Sequence, residues 1–327
     1  MAVLETRQKL STLKIWIHTR PDKNSFRIID MYLGIEIGGT KLQLGLGAGD
    51  GVLHALWRGT IVPADGADGI RRQIERSVPE LFAKANCPRD LLQGVGIGFG
   101  GPVDDATRTV IKSHQIAGWD GFPLAEWISD MTGLPAVLGN DADVAGLAET
   151  LFGAGAGLTP IFYVTIGSGI GGGLVINGEI YRGTGRGAAE IGHLTFLVEG
   201  TYVPLEQLSS GWAIQTAAKV HMGNVTAQAV CQAAEQGDGF AQAILDRAWS
   251  HLADALCRVI VLVCPRRIVI GGGVSLMGER MLFEPLRRLV AQRVFKPFAD
   301  CYDIVPAALG EEVVVHGALA LARQRLS

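Results

Sequence analysis

Two stretches of the chain share one pattern of apolar and small polar positions. Tyr32 to Leu46 reads YLGIEIGGTKLQLGL, and Phe162 to Ile176 reads FYVTIGSGIGGGLVI. Each is an apolar run, a Gly/Thr/Ser/Lys turn and a second apolar run, which predicts a strand, a tight turn and a returning strand. Glycines at Gly38, Gly39, Gly167, Gly169 and Gly171 leave backbone N–H groups unshielded, and such groups can close on phosphate oxygens. A hairpin of this kind, present twice, suggests a duplicated domain that holds one polyphosphate in a cleft between its halves.

The pattern elsewhere alternates strands and helices. Apolar positions Ile70, Ile74, Val78, Leu81 and Phe82 predict a helix over Gly69–Ala85. A glycine-laced buried strand follows at Gln93–Phe99, then a helix around Pro123–Thr132 and a short strand at Pro135–Leu138. Gly139-Asn140-Asp141 then opens a helical run from Ala142 to Phe152. The second half repeats the scheme with helices at Ala213–His221, Thr226–Gln236 and Gly239–Cys264 and a strand at Arg267–Ile270. A glycine triplet at Gly271–Gly273, a helix from Met281 and an alanine-rich terminal helix at Val313–Leu326 complete it. Such alternation predicts an α/β fold with largely parallel central sheets.

Two generic motif matches carry no weight. Gly167–Gly172 and Gly96–Gly101 both fit G-x-G-x-x-G, but a dinucleotide fingerprint needs a helix directly after the glycines. Leu174-Val175-Ile176 follows the first and Pro102 the second. No G-x-x-x-x-G-K-[ST] sequence occurs.

Composition narrows the classes. The chain has 327 residues, 48% hydrophobic and 19% charged, with a formal net charge of −3. This permits two domains and gives no support to nucleic-acid binding. Cys87, Cys231, Cys257, Cys264 and Cys301 are scattered, which suits a reducing, cytoplasmic setting and argues against a disulfide frame. No apolar run reaches membrane-helix length. Residues 1–30 differ from the rest, with six Lys/Arg against three Asp/Glu and no continuous apolar core. They are expected to be a dispensable leader, or the product of a start assigned upstream of Met31.

Taken in order, IEIGGTK, GIGFGGPVD, Gly118-Trp119, GNDADVAGLAE, TIGSGIGGG, AAEIGH, Leu205-Glu206 and IVIGGG resemble the ROK sugar kinases, from Ile35 to about Ala320. The resemblance implies a two-domain actin-like ATPase (ribonuclease H-like) fold, with duplicated phosphate-binding β-hairpins and an interdomain cleft. The domains would be 31–141 with 313–327, and 142–312. It further implies ATP with Mg²⁺, a hexose substrate, and phosphorylation at the 6-hydroxyl of glucose as the first expectation. Another hexose or an N-acetylhexosamine, and polyphosphate as donor, stay open, as does a sugar-sensing regulator without catalysis. A homodimer is expected, since dimers are the commonest homo-oligomer.

By the same resemblance Gly38, Gly39, Thr40, Lys41, Thr165, Gly167, Ser168 and Gly169 would grip phosphates, and Gly271, Gly272 and Gly273 would lie under the adenosine. Gly101, Gln115, Asn140, Asp141, Glu190, His193 and Glu206 would face the sugar. Asp141 stands out as the general base, because a sugar hydroxyl is a poor nucleophile at neutral pH. Asp at that spot also suits a helix N-cap. Three departures from the family pattern bear on function. Gln115 stands where Asn is usual, and Glu36 replaces an Asp that influences Mg²⁺. The segment after His193, LTFLVEGTYVPLEQL, lacks the three cysteines that bind structural zinc in many members. No zinc is therefore expected, and apolar packing of Tyr202, Pro204 and Leu205 is expected to brace that segment instead.

Overall fold

A computed structural model describes residues 30–113 and 115–327, and the backbone of Ile17–His18, which pairs antiparallel with Arg27–Ile28. The leader read at 1–30 otherwise lies outside the described residues. The chain divides into two compact units, one of Met1–Asp141 with Val314–Ser327 and one of Ala142–Val313.

In the first unit, β1 (Met31–Ile37), β2 (Lys41–Gly47), β3 (Ala55–Thr60), β4 (Leu92–Phe99) and β5 (Ala136–Asn140) form one sheet in the order β3-β2-β1-β4-β5. β1 pairs antiparallel with β2 and parallel with β4, and β4 pairs parallel with β5. All seven residues of β1 are buried, as suits a central strand covered on both faces. Helix α1 (Gly66–Ala85) turns Ile70, Ile74, Val78 and Leu81 inward, and α2 (Leu124–Thr132) adds Leu124 and Ile128 to the same core. Trp119 of the Gly-Trp pair is fully buried there, edge-on to Phe99 at 5.5 Å.

The second unit repeats this topology. The strands β6 (Ile161–Ile166), β7 (Ile170–Ile176), β8 (Glu179–Ile180), β11 (Arg267–Gly271) and β12 (Ile304–Pro306) run in the order β8-β7-β6-β11-β12. Here too the central strand is antiparallel to its hairpin partner and parallel to the strand on its other side. Between β8 and β11 lie a small hairpin, β9 (Thr195–Val198) with β10 (Thr201–Pro204), and a helical block. The block holds α4 (Gly211–Met222), α5 (Ala227–Glu235) and the long α6 (Gly239–Val263). α6 is capped by Asp238, whose carboxylate accepts from Phe240 and Ala241 N–H at 2.8 and 3.0 Å. After β11 comes α7 (Glu284–Arg293), entered through a π-helical turn at Glu279–Phe283 rather than by a helix beginning at Met281.

Each sheet carries glycines where a helix backbone presses on it. A Cβ on Gly96 would stand 1.8 Å from Ala318 O, and one on Gly34 3.0 Å from Val315 O, both in α8 (Val313–Leu326). In the second unit, a Cβ on Gly173 would stand 2.7 Å from Ala142 O in α3 (Asp141–Phe152). Ladder glycines of this kind admit a backbone that any side chain would push away. α3 is buried along Ala142–Thr150. Its Glu149 carboxylate, wholly buried, accepts from Ala154 N–H at 2.7 Å and from Ala308 and Leu309 N–H at 2.9 Å each.

β5 runs further than the sequence predicts. Gly139 and Asn140 pair with Gly98 and Phe99, so the strand reaches Asn140 and α3 begins at once with Asp141. Among the described residues no helix is long and apolar enough to cross a membrane.

Candidate functional site

In the first unit the carboxyl ends of β1, β4 and β5 come together. Gly100 N–H donates to Ile37 O at 2.8 Å, and Asn140 Nδ2 donates to Gly101 O at 3.0 Å. Asp141 Oδ2 lies 3.5 Å from the point where Gly100 would carry a Cβ. Gly101, Asn140 and Asp141 thus form one cluster at the edge where α/β sheets bind ligands. The first hairpin closes with Gly38 N–H on Lys41 O at 3.0 Å, with Gly39 and Thr40 at the tip of the turn. Gln115, expected only beside the sugar, lays its amide on Gly39, with Oε1 1.3 Å from the Cβ point of that glycine.

Lys41 Nζ stands 3.1 Å from Glu36 Oε1, with the carboxylate buried and the amine half-exposed. The carboxylate read as influencing Mg²⁺ therefore already faces an ammonium, which a divalent cation would have to displace. Glu36 does not fit as an open metal ligand. Its place in the hairpin is to hold Lys41. Among the described residues no group of three or more His, Cys, Asp or Glu could hold a metal ion.

In the second unit the hairpin turn closes with Gly167 N–H on Gly169 O at 3.0 Å, and Gly211 N–H at the start of α4 donates to Gly167 O at 2.8 Å. Thr165 sits in the ladder between Gly171 and Gly271. Glu206 heads a one-turn helix, and its Oε2 lies 3.0 Å from the Cβ point of Gly169, so this carboxylate sits against the second hairpin turn. Glu190 and His193 meet at 3.9 Å across a 3₁₀ turn, with Glu190 at its N-cap. The spacing thus does put both on one side, but on a single exposed turn.

A cavity of about 480 Å³ opens beside this hairpin, lined by Gly167, Ser168 and Gly273 on one side and by Trp212, Gln228 and Cys231 among others. Of the expected adenosine glycines only Gly273 lines it. Gly272 holds φ +83° where a Cβ would strike Ile166 O at 2.6 Å, so it serves the turn. Burial pushes the Cys231 thiol up, with Glu235 adding and Arg280 opposing. Trp212 and the glutamines of the cavity escape a sequence reading because they follow no motif. The one available signal is an indole directly after Ser210-Gly211, at a helix start.

The brace of the His193 segment differs from expectation. Tyr202 is 72% exposed, whereas Phe196 and Leu205 are buried. The β9–β10 ladder, Leu205 N–H on Leu194 O at 2.8 Å and the Arg258 guanidinium 4.1 Å over the Phe196 ring hold the segment. Alternation in the hairpin decides this, since Leu197 and Tyr202 are cross-strand partners on its outer face.

The sequence model of the ROK family matches residues 32–325. A glucokinase of Thermotoga maritima is 33% identical over 318 residues, spanning 90% of this chain and 98% of the relative. An N-acetylmannosamine kinase of Escherichia fergusonii is 29% identical across 89% of this chain and 98% of its own length. The crystal structure of a ROK family glucokinase from Streptomyces griseus, in complex with glucose and AMPPNP, superposes with a TM-score of 0.74 at 29% identity. It covers 90% of this chain and 99% of that one. The duplicated sheets are those of the actin-like ATPase fold, and the chain belongs to the ROK family.

Proposed function

We propose that the chain is a sugar kinase that transfers the γ-phosphoryl group of ATP to the 6-hydroxyl of a hexose, with glucose as the first candidate. The observation that carries this is the placement of Asp141, directly at the carboxyl end of β5, beside the Asn140–Gly101 hydrogen bond and Gly100. The glucokinase relative and the glucose complex support the choice of sugar. The N-acetylmannosamine kinase at similar identity supports an N-acetylhexosamine as the second candidate.

In this reading Asp141 accepts the proton of the attacking hydroxyl as its oxygen bonds to the γ-phosphorus and the bond from that phosphorus to the bridging oxygen breaks, with ADP as leaving group. Asn140 and Gly101 fix the loop beside it. Glu190, His193 and Glu206 take sugar hydroxyls, since carboxylates can accept from hydroxyl pairs and a neutral imidazole from one hydroxyl. Lys41, oriented by Glu36, and the amides of both hairpins offset the charge of the transferring phosphoryl group. Phosphoryl transfer asks little else of a protein than position and charge. The test is ADP release with glucose, mannose, fructose, N-acetylglucosamine and N-acetylmannosamine as acceptors. Turnover with glucose at least tenfold above the others supports the first candidate, and turnover with none removes the kinase reading.

A further inference from the structure

The cavity beside the second hairpin has a wall that the phosphates do not need. Trp212 is the second residue of α4, and its backbone N–H reaches toward Ser168 O at 3.4 Å, which ties the indole to the phosphate turn. The indole lines the cavity, yet it stays 57% exposed. An aromatic ring left half in water contributes little to folding, and it is suited to meeting another flat apolar face.

Three glutamines supply much of the polar lining. Gln215, Gln228 and Gln232 present side-chain amides, each able to donate or accept by rotating. Glu235, the one carboxylate among the described lining residues, is held by Arg280 at 2.9 Å. A base edge with an amino group and one with a carbonyl therefore meet groups that can answer either, while the base face meets an indole. The volume lies within the range of cavities that take a nucleoside-sized ligand.

We infer that Trp212 is the platform on which the donor's purine stacks, and that the pocket reads the base by its face rather than its edge. Nucleotides of 6-amino and 6-oxo purines then both serve as donors. An inorganic polyphosphate, with no π-face, gains nothing from this wall. The inference rests on the reading of the chain as a nucleotide-dependent kinase.

The full chain, without sugar, is titrated with AMPPNP, GMPPNP and inorganic tripolyphosphate, followed by tryptophan fluorescence and calorimetry. Both nucleotide analogues are expected to quench fluorescence with dissociation constants within about fivefold of each other, and tripolyphosphate to leave it unchanged. Stacking on an aromatic side chain sets the expected loss in W212A at roughly 10- to 100-fold for both analogues. W212F should keep the affinity within about threefold and lose the quench, with melting temperatures of both variants unchanged because the residue is exposed. Wild-type binding that W212A leaves intact, or a preference for AMPPNP above about 100-fold, overturns this inference alone. A wild-type chain that binds neither nucleotide overturns the donor reading and this inference together.

Discussion

The side-chain oxygen of Gln115 lies 1.3 Å from the point where a side chain on Gly39 would begin. The loop read as facing the sugar and the turn read as facing phosphate are therefore in contact within one unit. Any residue other than glycine at position 39 must expel the Gln115 amide. Gly39→Ala is expected to lower kcat/KM by more than tenfold in the ADP-release assay. Gly39→Ala with Gln115→Ala should recover part of that loss, with a coupling of about 1 kcal/mol or more, as neighbours in contact show. Losses that simply add would mean that the contact does not matter to the turn.

Asp141→Asn keeps the shape of the carboxyl group and removes the base. The expected result is a fall in kcat of roughly 10²- to 10⁴-fold with little change in sugar affinity. Glu190→Gln and His193→Ala act on binding and should mainly raise the sugar KM. Near-normal turnover in the first variant removes Asp141 from proton transfer, and an untouched KM in the other two removes them from the sugar contact.

Both hairpins were legible because a glycine turn between two apolar runs has few other solutions, and the structure closes them at Gly38–Lys41 and Gly167–Gly169. The ladder glycines were less so. Gly34 and Gly96 answer to carbonyls of α8 that arrive only after most of the chain has passed, and no local pattern announces them. The E-x-x-H spacing was visible, but the 3₁₀ turn that presents it depends on Ala189, a non-glycine at φ +63°. Trp212 was hidden because one aromatic residue at a helix start has no period to read. Glu149 stood inside a recognised motif, while its partners at Ala308 and Leu309 lie far along the chain.

That buried glutamate supports three backbone donors, so its loss leaves each of them unpaired. An unsatisfied buried donor costs about 1–3 kcal/mol, and Glu149→Ala is expected to lower the unfolding free energy by roughly 3 kcal/mol or more. Denaturant midpoints measure this. A loss below about 1 kcal/mol would show that water replaces the carboxylate.

The purified chain should hold no stoichiometric zinc and keep its activity in a strong zinc chelator with Mg²⁺ in excess. A structural zinc needs about four ligands, and the segment after His193 is held by a hairpin ladder, Leu205 and the Arg258–Phe196 contact. If that contact replaces a metal brace, Arg258→Ala should raise the sugar KM by loosening the segment that leads into Glu206, while Tyr202→Ala, on the exposed face, should not. One zinc per chain by elemental analysis would overturn the assignment.

Acid should uncover the clasp between Arg267 and Asp303. Nε and Nη2 of the arginine donate to the two carboxylate oxygens at 2.7 Å each, and Nη1 donates to Ala154 O at 2.5 Å. Those hydrogen bonds, more than charge alone, hold the Asp303 carboxyl below its ordinary range, against a smaller upward push from burial. The unfolded chain titrates this group near 3.9. The clasp is therefore fully present above that pH, and it is lost as pH falls through the lower, folded value. With the carboxylate 37% exposed, screening limits the contribution to about 1 kcal/mol. Asp303→Asn should be less stable than wild type by about that amount at pH 7. The gap should shrink steadily below about pH 4, where the Asp303 carboxyl of the unfolded wild-type chain begins to take up its proton, and vanish below the lower, folded value. Denaturant midpoints measured across this range test the assignment, and a gap that stays constant from neutral to acid pH would place the origin of the difference elsewhere than in the charge of Asp303.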